Sequence, residues 1–237
     1  NVSGSYGEFR IDQGSAAIKL DGPMLKIARS ELRLNDNLLT AAGTVNLGDS
    51  SYPVHGTIQM PMGRIESFLP DQGVEGEVKA SAIVDGTLND LVVSGKASSQ
   101  RLSVAGSDIY DVKANYSYDH GILSVTEGSL KKDGGEGTGY GLYRIGDASY
   151  EGHISVDKLE VAPFSSLAGV PLAGTMTGNA FFAGTQAGIS ELSANVSGTN
   201  VSVEGIDASS VDAFVSGKNG AYTIHHSLYS TDHPLKP

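Results

Sequence analysis

Apolar and polar residues alternate with a period of two along most of the chain. The stretch from Val78 to Val84 carries apolar side chains at every second position, and shorter stretches such as Val45 to Leu47 and Ile58 to Met60 repeat this spacing. Helical periodicity is hard to find. Because alternate side chains of a strand point to opposite faces of its sheet, the pattern predicts an all-β chain with one apolar face and one polar face.

Short segments rich in Asn, Asp and Gly separate the alternating stretches. Such segments occur at residues 34–37, 46–51, 84–90, 118–121 and 217–220. Turns spaced by about 8 to 12 residues are typical of hairpins in an all-β protein. At that spacing, about eight strands are expected in each stretch of about 98 residues.

One stretch of the sequence is present in two similar copies. The segment "GDSSYPVHGTIQM" at residues 48–60 returns as "GDASYEGHISVDK" at residues 146–158, with Gly, Asp, Ser, Tyr and His at matched positions. A recurrence at a fixed distance indicates a repeat architecture. The offset between the two stretches is 98 residues.

The repeat extends beyond this stretch. The same offset relates residues 21–32 to 119–130 and residues 76–87 to 174–185, and it grows by one residue further along the chain. No linker separates the copies. The sequence therefore predicts one continuous β body, made of a first repeat, a second repeat and a partial third repeat at residues 1–98, 99–196 and 197–237.

Two segments at matching positions interrupt the alternation. Residues 62–70 and 159–169 each predict a short helix or loop that closes a repeat. The chain begins and ends within the pattern, so we interpret it as an excised fragment. Residues 231–237 are expected to form a poorly ordered end.

Composition narrows the classes of function. The net charge of −11 disfavours nucleic acids and anionic membrane surfaces, because binding to either needs clustered cations. The chain has no cysteine, which excludes disulfides, thiol catalysis and thiolate metal sites. No apolar run approaches the roughly 20 residues of a membrane-spanning helix.

The sequence contains few residues in patterns typical of metal binding or catalysis. His55 and His153 recur one repeat apart, but neither has a second ligand at metal-binding spacing, so a turn or surface role is expected. His225 and His226 are adjacent on a predicted strand and should point to opposite faces. The sequence therefore predicts neither a metal site nor a cofactor.

The glycine-rich segment at residues 131–141 resembles two ligand-binding motifs without completing either. No helix is predicted after it, as a dinucleotide loop requires, and Gly139 stands where a calcium-binding repeat needs Asp. A hairpin remains the interpretation. No GxSxG or HExxH motif occurs, so the chain is predicted not to be an enzyme, with scattered paired carboxylates left as an open alternative.

Residues 86–146 resemble a known family. The strand pattern "GSDIYDVKANYSYDHGILSV" and the hairpin "GGEGTGYG" look like a repeat of the TamB/AsmA-like family of bacterial envelope proteins, the group that includes the translocation and assembly module. The matching pattern of small and apolar residues covers nearly the whole chain.

The resemblance implies both a fold and a function. The fold would be an elongated antiparallel sheet curled lengthwise into an open trough, a β-taco, with an apolar interior. The groove would carry phospholipid acyl chains between the inner and outer membranes, in the periplasm of a diderm bacterium. The full-length protein would be anchored to the inner membrane outside this segment, and an outer-membrane barrel-assembly protein would be a further partner.

The alternation identifies which residues would face the groove. The candidates for contact with lipid are Ile18, Leu20, Leu25, Ile27, Val45, Leu47, Ile58, Val78, Val84, Val93, Leu102, Val104, Leu123, Val125, Tyr143, Ile145, Val156, Met176 and Phe182. The alternative is that these residues pack on one another in a dry core. Alanines of the same phase, such as Ala80 and Ala82, favour an unfilled groove.

Two other functions remain open at this level. One is a surface or extracellular β-repeat stalk or adhesin with a closed core, which binds protein or glycan. The other is a polysaccharide lyase or hydrolase on a β-helix. Rungs of a β-helix repeat every 20 to 30 residues or so, whereas the period here is 98 residues with hairpin turns inside it, so the sequence favours the trough.

Overall fold

The computed structural model confirms an all-β chain. It describes residues 2–6, 9–68, 73–104, 106–160, 162, 172–185, 187–203, 206–219 and 221–229. Within these ranges the chain forms fifteen strands and one three-residue 3₁₀ helix, Ile65–Ser67. The expected disordered end at residues 231–237 lies outside the described residues.

The strands run to as many as 16 residues. In chain order they are β1 (Val2–Tyr6), β2 (Phe9–Asp21), β3 (Met24–Leu34), β4 (Asn37–Asn46), β5 (Pro53–Arg64), β6 (Val74–Thr87), β7 (Asp90–Val104), β8 (Ser107–Asp119), β9 (Ile122–Lys132), β10 (Gly135–Arg144), β11 (Ser149–Glu160), β12 (Leu172–Thr185), β13 (Gly188–Val203), β14 (Ile206–Lys218) and β15 (Ala221–Tyr229).

All fifteen strands belong to one antiparallel sheet in chain order, so each strand pairs with the strands before and after it. β1 and β15 are the edge strands. The repeat boundaries expected at residues 98/99 and 196/197 fall inside β7 and β13, and the sheet continues through both.

The turn segments predicted from sequence connect strands as expected. Asn35 and Asp36 between β3 and β4 both have positive φ, as do His120 and Gly121 between β8 and β9. Two consecutive left-handed residues define the type I′ turn, whose twist matches that of the flanking strands. The glycine-rich hairpin also forms, with its turn at 133–134 between β9 and β10.

The expected strand count is wrong. Residues 9–104 contain six strands, β2 to β7, where turn spacing predicted about eight in a similar length. The strands are longer than expected because glycines that resemble turn signals, such as Gly86 in β6, lie inside them. In the predicted helix or loop at 62–70, residues 62–64 belong to β5 and residues 65–67 form the 3₁₀ helix, while residues 69–70 lie outside the described part. In the second such segment, residues 159–160 belong to β11, and residues 161 and 163–169 lie outside the described part.

Several of the bulges lie near one long side of the sheet. This side carries the turns that follow β3, β5, β7 and β9, and we call it the bulged rim. The pairing register shifts between Met60 and Gly63 in β5, and Asp111, Lys158 and Asn200 have φ values of 49°, 50° and 50°. A bulge bends its strand and increases its twist.

Buried apolar side chains are few and lie at the bulged rim. Among the described side chains, the buried hydrophobic residues are Met60, Val78, Leu102, Ile109, Leu159 and Val201. Met60, Val78, Leu102 and Ile109 form one cluster, and Phe68 beside the 3₁₀ helix packs against it. The rest of the sheet is not covered by a second layer among the described residues.

A buried asparagine ties the bulged rim together. Asn37 is 4% exposed, and its side-chain nitrogen donates to the carbonyl oxygens of Asn35 at 3.1 Å and Leu34 at 3.3 Å. Its side-chain oxygen accepts from the backbone N–H of Arg64 at 2.7 Å. Asn37 therefore connects the β3–β4 turn to the end of β5, where the 3₁₀ helix begins.

A buried lysine occupies the same rim further along the sheet. The ammonium group of Lys132 donates to the carbonyl oxygen of Asp108 at 3.1 Å and lies 2.9 Å from the carboxylate of Asp133. Because the charge has both a carboxylate and a carbonyl partner, its burial is compensated.

Candidate functional site

An unbroken apolar row crosses most of the sheet. In an antiparallel sheet, directly paired residues present their side chains on the same face. From β5 to β15 the register pairs, in succession, Met60, Ala80, Ala97, Ala114, Gly128, Gly139, Ile154, Ala180, Ala194, Val215 and Ile224. No polar side chain interrupts this row.

Two further rows run parallel to the first on the same face. One pairs Ala41, Ile58, Ala82, Gly95, Tyr116, Val125, Gly141, Gly152, Phe182, Leu192 and Gly217. The other pairs Ile18, Ile27, Gly43, Gly56, Val84, Val93, Tyr118, Leu123, Tyr143, Tyr150 and Gly184. We call the surface that these three rows form the apolar face.

The opposite surface, the polar face, carries hydrophilic rows. One of them pairs Ser81, Lys96, Asn115 and Glu127, and another pairs Thr138, Ser155, Asn179 and Asn195. Hydrophilic side chains are therefore more frequent on the polar face, as the two-residue alternation predicts, although Ile83, Tyr140 and Phe181 also lie on it.

Most side chains of the apolar face are half-buried, and some are exposed. Ile18 and Leu20 are 60% and 62% exposed, and Ile154 in the middle of the sheet is 46% exposed. No second layer of the described residues covers this face. The apolar face is therefore accessible to a ligand or a partner.

The structure places the predicted groove residues together. All of them except Leu47 and Ile145 lie in strands on the apolar face. Leu47 and Ile145 lie in the turns after β4 and β10, at the side of the sheet away from the bulged rim. Val78 and Leu102 are buried, and the others are half-buried or exposed. Contact of these residues with lipid stays a prediction.

The groove candidates chosen from the sequence leave out four residues that are buried at the bulged rim: Met60, Ile109, Leu159 and Val201. A bulge shifts the phase of the alternation by one residue, so Leu159 shares a face with Val156 although an odd number of positions separates them. The signal in the sequence is an apolar residue out of phase next to a residue that tolerates positive φ, such as Asn200 before Val201.

Aromatic rings lie across glycines on the apolar face. A Cβ built on Gly95 would lie 2.6 Å from the hydroxyl oxygen of Tyr116, and one on Gly152 would lie 2.7 Å from the ring of Phe182. The Tyr116 hydroxyl donates to the carbonyl oxygen of Ser81 at 3.3 Å. Burial of the ring raises the pKa of Tyr116. These rings therefore lie close to the backbone of the sheet.

The five histidines of the described residues lie at the surface. His55 and His153 belong to β5 and β11 on the polar face, where His153 stacks on Tyr140 with ring centroids 4.7 Å apart. His225 pairs with Phe214 and His226 with Ala213, so the two rings point to opposite faces as predicted.

One cluster of titratable groups occurs on the rim opposite the bulges. His120 contacts the carboxylates of Asp119, through Nδ1, and Asp90, through Nε2 at 3.2 Å. The hydrogen bond and charge of Asp119, and then the charge of Asp90, raise the pKa of His120. All three residues are exposed. The ion pairs explain why these three side chains lie close together. The absence of a metal site stays a prediction.

Comparison with known proteins does not assign the chain to a family. No family model, curated protein or solved structure matches it. Within the described residues, no helix has the length and apolar character needed to cross a membrane. The TamB/AsmA-like resemblance, and the prediction that the chain is not an enzyme, therefore remain predictions.

Proposed function

We propose that the apolar face binds the acyl chains of phospholipid and that the chain is a segment of an envelope-spanning lipid-transfer protein of the TamB/AsmA-like type. One observation carries the proposal: three rows of aliphatic, tyrosine, phenylalanine and glycine residues continue from strand to strand, and no second layer covers them among the described residues. A ligand that is apolar over a long distance complements such a surface.

The bulges support an open trough. Bulged strands bend, and the residues beside the bulges that are buried, such as Val78, Leu102 and Ile109, lie on the apolar face. Strands that bend toward the apolar face make that face concave. This curvature explains how side chains on it become buried although no second layer of protein covers them. In the proposal, the bulged rim forms one closed wall of the trough and the opposite rim is its open side.

Strand positions support a repeat of 98 residues. The first and last residues of β2, β3, β4 and β6 are each 98 positions before those of β8, β9, β10 and β12. The bounds of β8 precede those of β14 by 99 positions, in agreement with the one-residue shift in the sequence. A repeat of six strands can extend a groove of constant cross-section by stacking.

Binding in such a groove needs no specific polar contact. Each methylene group removed from water contributes about 0.8 kcal/mol, so a chain of about fifteen methylenes gains roughly 12 kcal/mol before the costs of ordering it. Because the apolar rows are continuous, a bound acyl chain can shift by one strand without losing contact area. This property suits transfer along the sheet better than storage at one position.

The setting of the proposal follows from the resemblance. The chain would lie in the periplasm, between an inner-membrane anchor and the outer membrane, with phospholipid as its cargo. An outer-membrane barrel-assembly protein would be its second partner. No catalytic step is part of the proposal.

The test replaces apolar residues by charge on one face only. In the double variant Val45→Asp and Val84→Asp, we expect co-purifying phospholipid to fall at least about fivefold, because each buried carboxylate would have to lose its hydration. Native mass spectrometry and lipid extraction of the purified chain measure the loss.

The matched control changes the neighbouring residues of the same strands. Thr44→Asp and Ile83→Asp introduce the same two charges on the polar face, and we expect this variant to retain lipid at the wild-type level. Equal loss in both variants would refute a role for the apolar face. A lipid-free wild-type chain that also refuses added phospholipid would favour the stalk or adhesin, whose closed core would then require a second protein layer on this face.

A further inference from the structure

Three aromatic rings stand in a row on the polar face of β10, β11 and β12. The register pairs Tyr140 with His153 and His153 with Phe181. The ring centroids of Tyr140 and His153 are 4.7 Å apart with their planes 19° apart, and those of His153 and Phe181 are 4.9 Å apart. Tyr140 is 55% exposed, so the row is not part of a packed core. We call these three residues the aromatic row.

The sheet forms elsewhere without such a row. The positions 98 residues earlier, in β4, β5 and β6, hold Ala42, His55 and Ile83. Those three strands pair in the same order as β10, β11 and β12. Strand pairing therefore does not depend on the rings, which leaves them available for another role.

One face of the Tyr140 ring is accessible from the side of β9. His153 stacks on the face that points toward β11, so the opposite face points toward β9. There the register passes from the pair Gly139 and Gly128 to the pair Gly141 and Val125, which places both Thr126 and Glu127 opposite Tyr140. A ligand ring can therefore lie between Tyr140 and this bulge.

A shallow depression of about 560 Å³ includes the aromatic row and the bulge. Sites for small molecules typically have volumes of about 300 to 1,000 Å³. No lysine or arginine is among the described residues that line the depression. Its hydroxyl, amide and carboxylate groups belong to Thr126, Glu127, Ser129, Thr138, Ser155, Asn179 and Ser193. The depression thus combines aromatic surface with hydrogen-bonding groups.

The carboxylate of Glu127 is held beside the bulge. One of its oxygens accepts a hydrogen bond from the side-chain nitrogen of Asn115 at 2.7 Å. Its remaining acceptor capacity is directed to a ligand that donates hydrogen bonds, because a carboxylate has two oxygens that each accept more than one bond.

We propose that this depression binds a neutral oligosaccharide, with one sugar ring stacked on the accessible face of Tyr140. A pyranose ring presents C–H groups on its faces and hydroxyl groups around its edge. It therefore contacts an aromatic face and exchanges hydrogen bonds with the surrounding polar groups at the same time. An acidic sugar would be repelled by Glu127 and by the net charge of −11.

Other ligand classes fit this surface less well. A purely apolar ligand would bury the carboxylate and hydroxyl groups without hydrogen bonds, at a cost in free energy. A stable protein interface buries about 800 Å² on each partner around an apolar centre, whereas the aromatic row spans only three strands, about 10 Å, between hydrophilic positions. A sugar satisfies both kinds of surface.

The proposed sugar site is independent of the lipid groove. The aromatic row lies on the polar face, opposite the rows that form the apolar face of the same strands. A bound sugar leaves the apolar face free, and the sugar site is expected whether or not the apolar face binds lipid.

Isothermal titration calorimetry of the whole chain with chitotetraose, a neutral oligosaccharide of N-acetylglucosamine, measures the affinity. We expect Tyr140→Ser to lower it at least about fivefold, because the stacking surface is lost, and Tyr140→Phe to keep it within about threefold, because the ring remains. The matched control is Tyr110→Ser, since Tyr110 pairs with Arg101 on the polar face, is 41% exposed and lies outside the depression. Its affinity should stay within about twofold of wild type.

A second pair of variants tests the carboxylate. Glu127→Gln should lower the affinity for chitotetraose about threefold to tenfold, because a neutral amide oxygen accepts a weaker hydrogen bond than a carboxylate oxygen. Glu136→Gln removes the same charge from β10 outside the depression and should change the affinity less than about twofold.

Three results would overturn the proposal. The first is a wild-type chain that binds neither chitotetraose nor the neutral glucose oligomer cellotetraose at millimolar concentration. The second is an equal loss of affinity in Tyr140→Ser and Tyr110→Ser. The third is binding of the acidic oligosaccharide tetragalacturonate as tight as that of chitotetraose, since Glu127 should repel it.

Discussion

At the scale of single residues, the apolar face depends on pairs of an aromatic residue and a glycine. Tyr116 lies across Gly95, and Tyr150 lies across Gly184, whose added Cβ would stand 2.6 Å from the tyrosine hydroxyl oxygen. A larger residue at either position would collide with the tyrosine ring and with a backbone carbonyl oxygen, that of Ser81 beside Gly95 and that of Gly188 beside Gly184. The pairing lets large side chains contribute apolar surface without filling the space above the sheet.

On the rim opposite the bulges, His120 makes stability depend on pH. The contacts with Asp119 and Asp90 raise the pKa of His120 above its usual value of 6.5. A raised folded-state pKa means that the stabilising contribution is fully present below about pH 6.5 and is lost as the pH rises through the higher folded-state value. We expect the urea midpoint of the wild type to fall over this range and the fall to be smaller in His120→Gln.

A sharper measurement compares how strongly each of the two carboxylates raises the pKa of His120. By NMR titration of the His120 ring, Asp119→Asn should lower its pKa more than Asp90→Asn, because the hydrogen bond and charge of Asp119 are the leading causes of the shift. A wild-type pKa at or below 6.5, or the reverse order of the two variants, would contradict this account.

At the scale of strands and turns, local sequence and long-range pairing have different roles. The type I′ turns at Asn35–Asp36 and His120–Gly121 require residues that accept positive φ, and their sequences predicted the hairpins. The bulged rim depends on register across several strands and on the 3₁₀ helix after β5. At this rim, backbone N–H and carbonyl groups need hydrogen-bond partners, and the side chain of Asn37 provides them.

We expect Asn37→Ala to lower the free energy of unfolding by about 2 kcal/mol, because it removes the acceptor for the Arg64 N–H and the donor for two carbonyl oxygens in a buried place. Urea unfolding followed by circular dichroism measures the change. Asn115→Ala is the control, since Asn115 donates only to the exposed carboxylate of Glu127 at 2.7 Å. We expect that change to stay below about 0.5 kcal/mol, and equal effects would show that the Asn37 network does not stabilise the rim.

At the scale of the whole molecule, an open sheet of fifteen strands is long. At about 4.8 Å between strands the sheet extends over about 67 Å, which predicts a radius of gyration of roughly 22 Å, against about 18 Å for a compact chain of this length. Small-angle X-ray scattering of the monomer, with its mass checked by light scattering, measures this value. A monomer near 18 Å would mean that the sheet folds onto itself and covers the apolar face.

Sequence and structure agree best where a period of two suffices. Val45, Val84 and Leu123 could be placed on one face from the sequence, because each strand presents alternate side chains to the same side. Ile109 and Val201 could not be placed, since a bulge near each changes the phase, and a bulge depends on the pairing partner as well as on the local residues. The strand count failed for a related reason: a glycine such as Gly86 has the same local preference in a turn and inside a strand.

The sequence by itself determined the β class, the hairpin turns, the two faces of different polarity and the recurrence at 98 residues, because these depend on local backbone preferences and on side-chain periodicity. Only the tertiary structure decided that the strands form one open sheet, that several bulges lie near one rim, and that Met60, Val78, Leu102 and Ile109 form one buried cluster. Residues far apart in the chain meet only through register, and register is a property of paired strands rather than of any one of them.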